Sequence, residues 1–227
     1  MTRIVDEDIE ISGLAVDLTT DIDVLVLAGV QVTNTRQVDN YDVAIQGLGS
    51  GHDVTVHGVV TAYGMAINLG ASTADSGQNY IHVGETGFVQ STADHAIAML
   101  GHDSIIDNDG WVSGAANGIS WWSAPVDPAG HHSYLYNSGH VEGETSGVYL
   151  DTSEAMVVRN SGVISGGDYS LAVVGTGRIR FVNTGLVEGV VALGSGNDTY
   201  NGKEGEATTN IQGFGGKDRL FGGDGDE

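Results

Sequence analysis

Three features of this 227-residue sequence predict an all-β fold, a right-handed parallel β-helix of about eight coils: a motif returning every 22–29 residues, short alternating runs between its copies, and 36 glycines punctuating them. The clearest copies, N-x-G-x-[VI]-x-G, are the segments 108–114, 137–143, 160–166 and 183–189. Weaker copies run back through Gly87, Gly58, Arg36 and Gly13. With the third motif position as anchor, the coils start at 13, 36, 58, 87, 110, 139, 162 and 185, at intervals of 23, 22, 29, 23, 29, 23 and 23.

Each motif position has a structural reason. Two residues after the anchors stand Ala15, Val38, Val60, Val89, Val112, Val141, Ile164 and Val187, an apolar column suited to the interior of a solenoid. Two residues before them, Asn34, Asn108, Asn137, Asn160 and Asn183 are placed to hydrogen-bond along their own column at a sharp corner. The runs Val54-Thr-Val56, Met65-Ala-Ile67-Asn-Leu69, Ile97-Ala-Met99, Val148-Tyr-Leu150 and Leu171-Ala-Val173 alternate as strands do, and no stretch keeps a helical period. Three short strands per repeat fit coils stacked at roughly 4.8 Å, with glycines supplying left-handed backbone at the corners. The acidic start, Asp6-Glu-Asp8 with Glu10, suits a charged guard over the first edge.

Composition narrows the function. Eight Lys and Arg against 30 Asp and Glu give a formal charge of −22, with no basic footprint for nucleic acid or an anionic membrane surface. No apolar run approaches the ~20 residues of a transmembrane helix, so membrane insertion is not expected. The absence of Cys removes disulfides, thiolate zinc sites and thiol nucleophiles together.

After Val191 the period shortens, which divides the chain into a β-helix, 1–192, and a glycine-rich segment, 193–227. The residues Leu193-Gly-Ser-Gly-Asn-Asp-Thr-Tyr-Asn201 fit the nonapeptide G-G-x-G-x-D-x-U-x with the first Gly replaced. Gly213-Phe-Gly-Gly-Lys-Asp-Arg-Leu-Phe221 fits with the second replaced, and Gly222 begins a third copy. Glycine turns let carbonyls converge while an Asp adds a carboxylate, so two stacked turns can furnish the six or so hard oxygens that calcium takes. The candidate metal ligands are therefore Gly194, Gly196, Asn197 and Asp198 in one turn and Gly213, Gly215, Gly216 and Asp218 in the next. A weaker site is expected between 204–206 and the last turn, with Gly223, Asp224, Gly225 and Asp226.

These repeats resemble the RTX (repeats-in-toxin, hemolysin-type) calcium-binding β-roll, and the whole chain is similar to β-helical regions that precede such repeats in secreted bacterial proteins. The resemblance implies Ca2+ as cofactor, a short β-roll continuing the helix, and export by a type I exporter. The exporter's signal lies at the far C-terminus of such proteins and is not in this sequence, so a longer parent is expected.

A second constellation comes from the two 29-residue intervals. Each holds extra residues after an equivalent strand, within 70–77 and 123–132. Loops leaving one corner two coils apart would flank a groove about 10 Å wide. Its candidate lining is Asp75, His102, Asp103, Trp121, Trp122, His131 and His132, where Asp and His could do acid–base work and Trp faces suit sugar rings. The His-Asp pair also matches the turn chemistry of His52-Asp53. There is no His-Glu-x-x-His, no G-x-S-x-G elbow, no phosphate loop, and no Lys or Arg from Gln37 to Val158. The expected function is a secreted, calcium-ordered β-solenoid with a structural or adhesive role. The alternative is a polysaccharide lyase, hydrolase or epimerase, or a surface for a polysaccharide or cell-surface glycan, using the two loops.

Overall fold

The structure is a computed structural model and describes residues 2–18, 23–38, 42–71, 76–123 and 130–222. Among them there is no helix, hence none long and apolar enough to cross a membrane. The strands pair in parallel, each with its equivalent one coil away. One sheet stacks ten strands, among them Thr2–Val5, Asp23–Val26, Ile105–Asn108, His132–Asn137, Ile179–Asn183 and Arg219–Phe221. The second sheet has two arms, one beginning at Ile9–Ile11 and the other at Val16–Leu18, and the 12-residue strand Val163–Val174 runs through both. Each coil thus crosses three strand positions, as the alternating runs predict, in an all-β, solenoid-like stack.

The three positions each send a column inward. The first sheet contributes Val24, Val54, Ile81, Ile106, Leu135, Val158, Phe181 and Tyr200, in register and nearly inaccessible to solvent. The other two contribute Val32, Val60, Val89, Val112, Val141, Ile164 and Val187, and Val16, Ile45, Ile67, Ile97, Ile119, Val148, Leu171 and Val191. Burying a β-branched or Leu side chain stabilises by about 1.5–3 kcal/mol, and this core repeats it coil by coil.

The Asn column forms the expected ladder. Nδ2 of Asn108 donates to Oδ1 of Asn137 at 2.7 Å, Asn137 to Asn160 at 2.7 Å, and Asn160 to Asn183 at 2.8 Å. Below Asn108 the same register position is occupied by Val83, Val56, Val26 and Val5, so the column is apolar in its first four coils and amide-bonded in the next four. The glycines two residues after these Asn serve a different purpose from left-handed backbone. A Cβ on Gly139, Gly162 or Gly185 would lie 2.1 Å from the carbonyl oxygen of the equivalent glycine one coil below, and none of the three has positive φ.

The first two coils are phased six residues earlier than the sequence expectation. The amide of Val59 donates to the carbonyl of Val30, and Ile9 pairs with Val32, so Glu7 and Val30 take the anchor places assigned to Gly13 and Arg36. Val32 is fully buried while Val38 is 69 % exposed. Asn34 stands outside the Asn ladder and caps a local turn instead, its Oδ1 accepting from the amides of Gly13 and Arg36. The pairing also continues unbroken past residue 193: Thr199–Asn201, Glu206–Ala207 and Ile211–Gln212 keep all three strand positions, the last two shortened to two residues. Ala207 stacks on Val187.

Candidate metal sites on one corner of the solenoid

The corner that leads into the first sheet carries both sets of predicted site residues. At the leading end of that sheet's strands, His52, Asn79, Ser104, Ser133, Met156, Ile179, Asp198 and Asp218 fall in a single column. Its polar members cap the coil below. Oδ1 of Asn79 accepts from the amide of His52 at 3.0 Å, Oγ of Ser104 from Asn79 at 3.0 Å, and Oγ of Ser133 from Ser104 at 3.1 Å. Asp198 and Asp218 continue the same device with carboxylates: Oδ1 of Asp198 takes the amide of Ile179 at 2.7 Å, and Oδ1 of Asp218 takes the amide of Asp198 at 2.9 Å.

The two glycine-rich turns therefore stack directly. The amide of Gly215 donates to the carbonyl of Gly194, and that of Lys217 to Oδ1 of Asn197 at 2.8 Å. Gly194 and Gly216 have left-handed backbone, φ +89° and +104°. Both carboxylates lie against glycine, since a Cβ on Gly196 would be 2.8 Å from Asp198 Oδ1 and one on Gly213 would be 2.4 Å from Asp218 Oδ2. Asp198 is 1 % exposed, and its Oδ2 is buried with no hydrogen-bond partner. Burial pushes its carboxyl up to about 6, against the Ile179 amide bond and with help from the charge of Asp218. A buried carboxylate with one oxygen uncompensated fits a cation, which would supply the missing partner. Gly223, Asp224, Gly225 and Asp226 lie outside the described residues.

Three and four coils below Asp198 on this corner, the groove candidates separate into two groups. His102, Asp103, His131 and His132 come together. Nδ1 of His131 and Nδ1 of His102 approach Oδ2 of Asp103 at 2.6 and 3.1 Å, and the amide of His132 donates to Oδ1 at 2.8 Å. The two rings, His102 and His131, face each other at 4.1 Å between centroids. Asp103 has left-handed backbone, φ 50°. Burial would raise its carboxyl, yet the bonds from His131, the His132 amide and His102 outweigh it and hold the group below the ordinary range. Asp103 is thus a fixed anion at neutral pH, which suits an acceptor or ligand better than a general acid.

The two tryptophans do not join this cluster. Trp121, expected along the groove, is completely buried in the inward column with Leu69, Met99 and Leu150, and its indole N–H donates to Gly101 O at 3.2 Å. Ile119 faces inward, and strand alternation sends Trp121 the same way. Trp122 packs on the outer face against Val43, Met65 and Ala98, near the rings of His95 and Tyr149. Asp75 lies outside the described residues, as does the loop segment 124–129.

One participant was not anticipated from sequence. Glu154 follows His131 in the column just before these first-sheet strands, one coil higher, and is completely buried. Its Oε1 accepts from the hydroxyl of Ser133 at 2.9 Å, and its Oε2 has no partner. Burial raises its carboxyl, opposed by bonds from Ser133 and the Asp103 backbone. The only clue in the sequence was spacing, because Glu154 stands 23 residues after His131, one coil on. Neither a protein family, a curated protein nor a solved structure matches this chain significantly.

Proposed function

We propose that this chain is a calcium-ordered β-solenoid module with a structural or adhesive role outside the cell. The observation that carries the reading is Asp198, a buried carboxylate whose Oδ2 lacks a partner, set between two stacked glycine turns with Asp218 alongside. Calcium would be held by Asp198, Asp218 and carbonyls of the 194–198 and 213–218 turns, where it would offset two like charges and fix the turns against each other. The sequence resemblance to RTX repeats supports the same ion, a right-handed coil, a C-terminal segment of β-roll character, and type I export. The strand shortening at Glu206–Ala207 and Ile211–Gln212 agrees, since it leaves most of that coil as turn. Export would then proceed with the acidic segment unfolded at low calcium, and folding would follow outside, where the ion is abundant.

Calorimetric titration of the chain with CaCl2 tests this reading. The expected result is heat of binding that disappears in Asp198→Asn and Asp218→Asn. Equal binding by wild type and both variants would refute it.

A further inference from the structure

We propose that His102, Asp103 and His131 form a site for a divalent transition metal ion of the zinc class, separate from the glycine-rich turns. One donor atom from each of the three lies within 4.8 Å of the others, and both imidazole Nδ1 atoms contact the same carboxylate oxygen at 2.6 and 3.1 Å. Tetrahedral zinc with bonds of about 2.0–2.1 Å to nitrogen or oxygen needs donors ~3.3 Å apart. The contacts to Asp103 need to open by less than about 1 Å to admit the ion. Two imidazoles with one carboxylate are ligands for zinc, copper or nickel, whereas calcium requires six to eight oxygens, which this cluster does not offer.

Glu154 supplies an independent observation. It is completely buried, it is bonded to the Asp103 backbone, and Oε2 has no partner. A completely buried carboxyl with an unpartnered oxygen beside the ligand set needs either a proton or a cation joining the cluster, and the metal ion supplies the second. Carboxylates behind a ligand set are also the usual outer partners that orient imidazoles toward zinc. The solenoid fixes the spacing, because His102 and His131 occupy the same corner column in adjacent coils.

Cobalt(II), which reports tetrahedral ligation by visible absorption, is the probe, added to the full metal-stripped chain. The expected result is absorption saturating at one equivalent and displaced by zinc, but not by millimolar calcium. His102→Ala and His131→Ala should each weaken it at least tenfold. His140→Ala, on the second sheet beside Trp111 and Glu142, should leave it unchanged. Asp198→Asn should also leave it unchanged, which separates this site from the calcium reading. Should the alanine variants lose their β-structure, imidazole NMR of the wild-type chain decides: zinc should shift the His102 and His131 resonances among the eight histidines. No cobalt absorption, absorption that persists in folded His102→Ala, or zinc shifts confined to other histidines would each overturn the proposal.

Discussion

Asp198 gives its backbone N–H to Oδ1 of Asp218 at 2.9 Å, so the carboxylate of one glycine turn caps the turn beneath it. Asn79, Ser104 and Ser133 make the equivalent bond lower on the same corner. A carboxylate at this position performs the structural task that Asn or Ser performs elsewhere, and it adds a negative charge that the cap itself does not need.

Asp198→Asn should therefore act in opposite directions with and without calcium. Asn keeps an oxygen for the Ile179 amide and removes the buried charge. Without calcium at pH 7.5, thermal unfolding should show stabilisation on the order of 1–2 kcal/mol, and with calcium the variant should be the less stable form. Destabilisation in both conditions would show that the charge is compensated within the protein.

The same group sets a pH dependence in the calcium-free chain. Its folded carboxyl titrates near 6, whereas an unfolded Asp titrates near 3.9. The folded state thus holds the proton more tightly between those values. Stability from Asp198 is full below pH ~4 and is lost as the pH rises to ~6, on the order of 2 kcal/mol. Glu154, also raised by burial, adds in the same direction. Chemical denaturation from pH 4 to 7 should show this decline, and Asp198→Asn should flatten it; an unchanged slope in the variant would contradict the assignment.

The Asn ladder should be position-dependent. Asn160 bonds to ladder neighbours on both sides, so Asn160→Val should cost about 3 kcal/mol by stranding amide groups in the interior. Asn108 ends the ladder against Val83, and its Oδ1 already lacks a partner. Asn108→Val extends the Val column by one coil and should cost roughly half as much. Urea midpoints of the two variants provide the comparison, and equal costs would mean that the ladder does not act as a chain.

Trp121 and Trp122 should differ sharply despite adjacency. Trp121→Ala removes the largest fully buried side chain and should cost about 3–5 kcal/mol, whereas Trp121→Leu matches Leu69 and Leu150 in the same column and should cost much less. Trp122→Ala, on the outer face, should cost about 1–2 kcal/mol. Melting temperatures of the three variants test the order.

Much of this architecture was legible because a stacked coil forces equivalent residues to repeat. The Val and Asn columns from Gly58 upward could be read directly, as could the 20-residue offset between Asp198 and Asp218. The first two coils were misphased because Asn34-Thr-Arg36 imitates the motif, while the true anchors, Glu7 and Val30, carry neither Asn nor Gly. The Val half of the ladder column was hidden since Val fits any inward position. Trp121 shares its parity with Ile119 and therefore faces inward, which its indole chemistry alone does not reveal. Glu154 was missed because an acidic residue in an acidic chain carries no mark of its burial.

The most direct measurement is a crystal structure of the chain grown in millimolar calcium, with anomalous data collected for the ion. The account predicts an anomalous peak between the 194–198 and 213–218 turns, with Oδ2 of Asp198 among six or more oxygens at about 2.3–2.6 Å. Ordered turns with no peak there, and Oδ2 of Asp198 still without a partner, would contradict it.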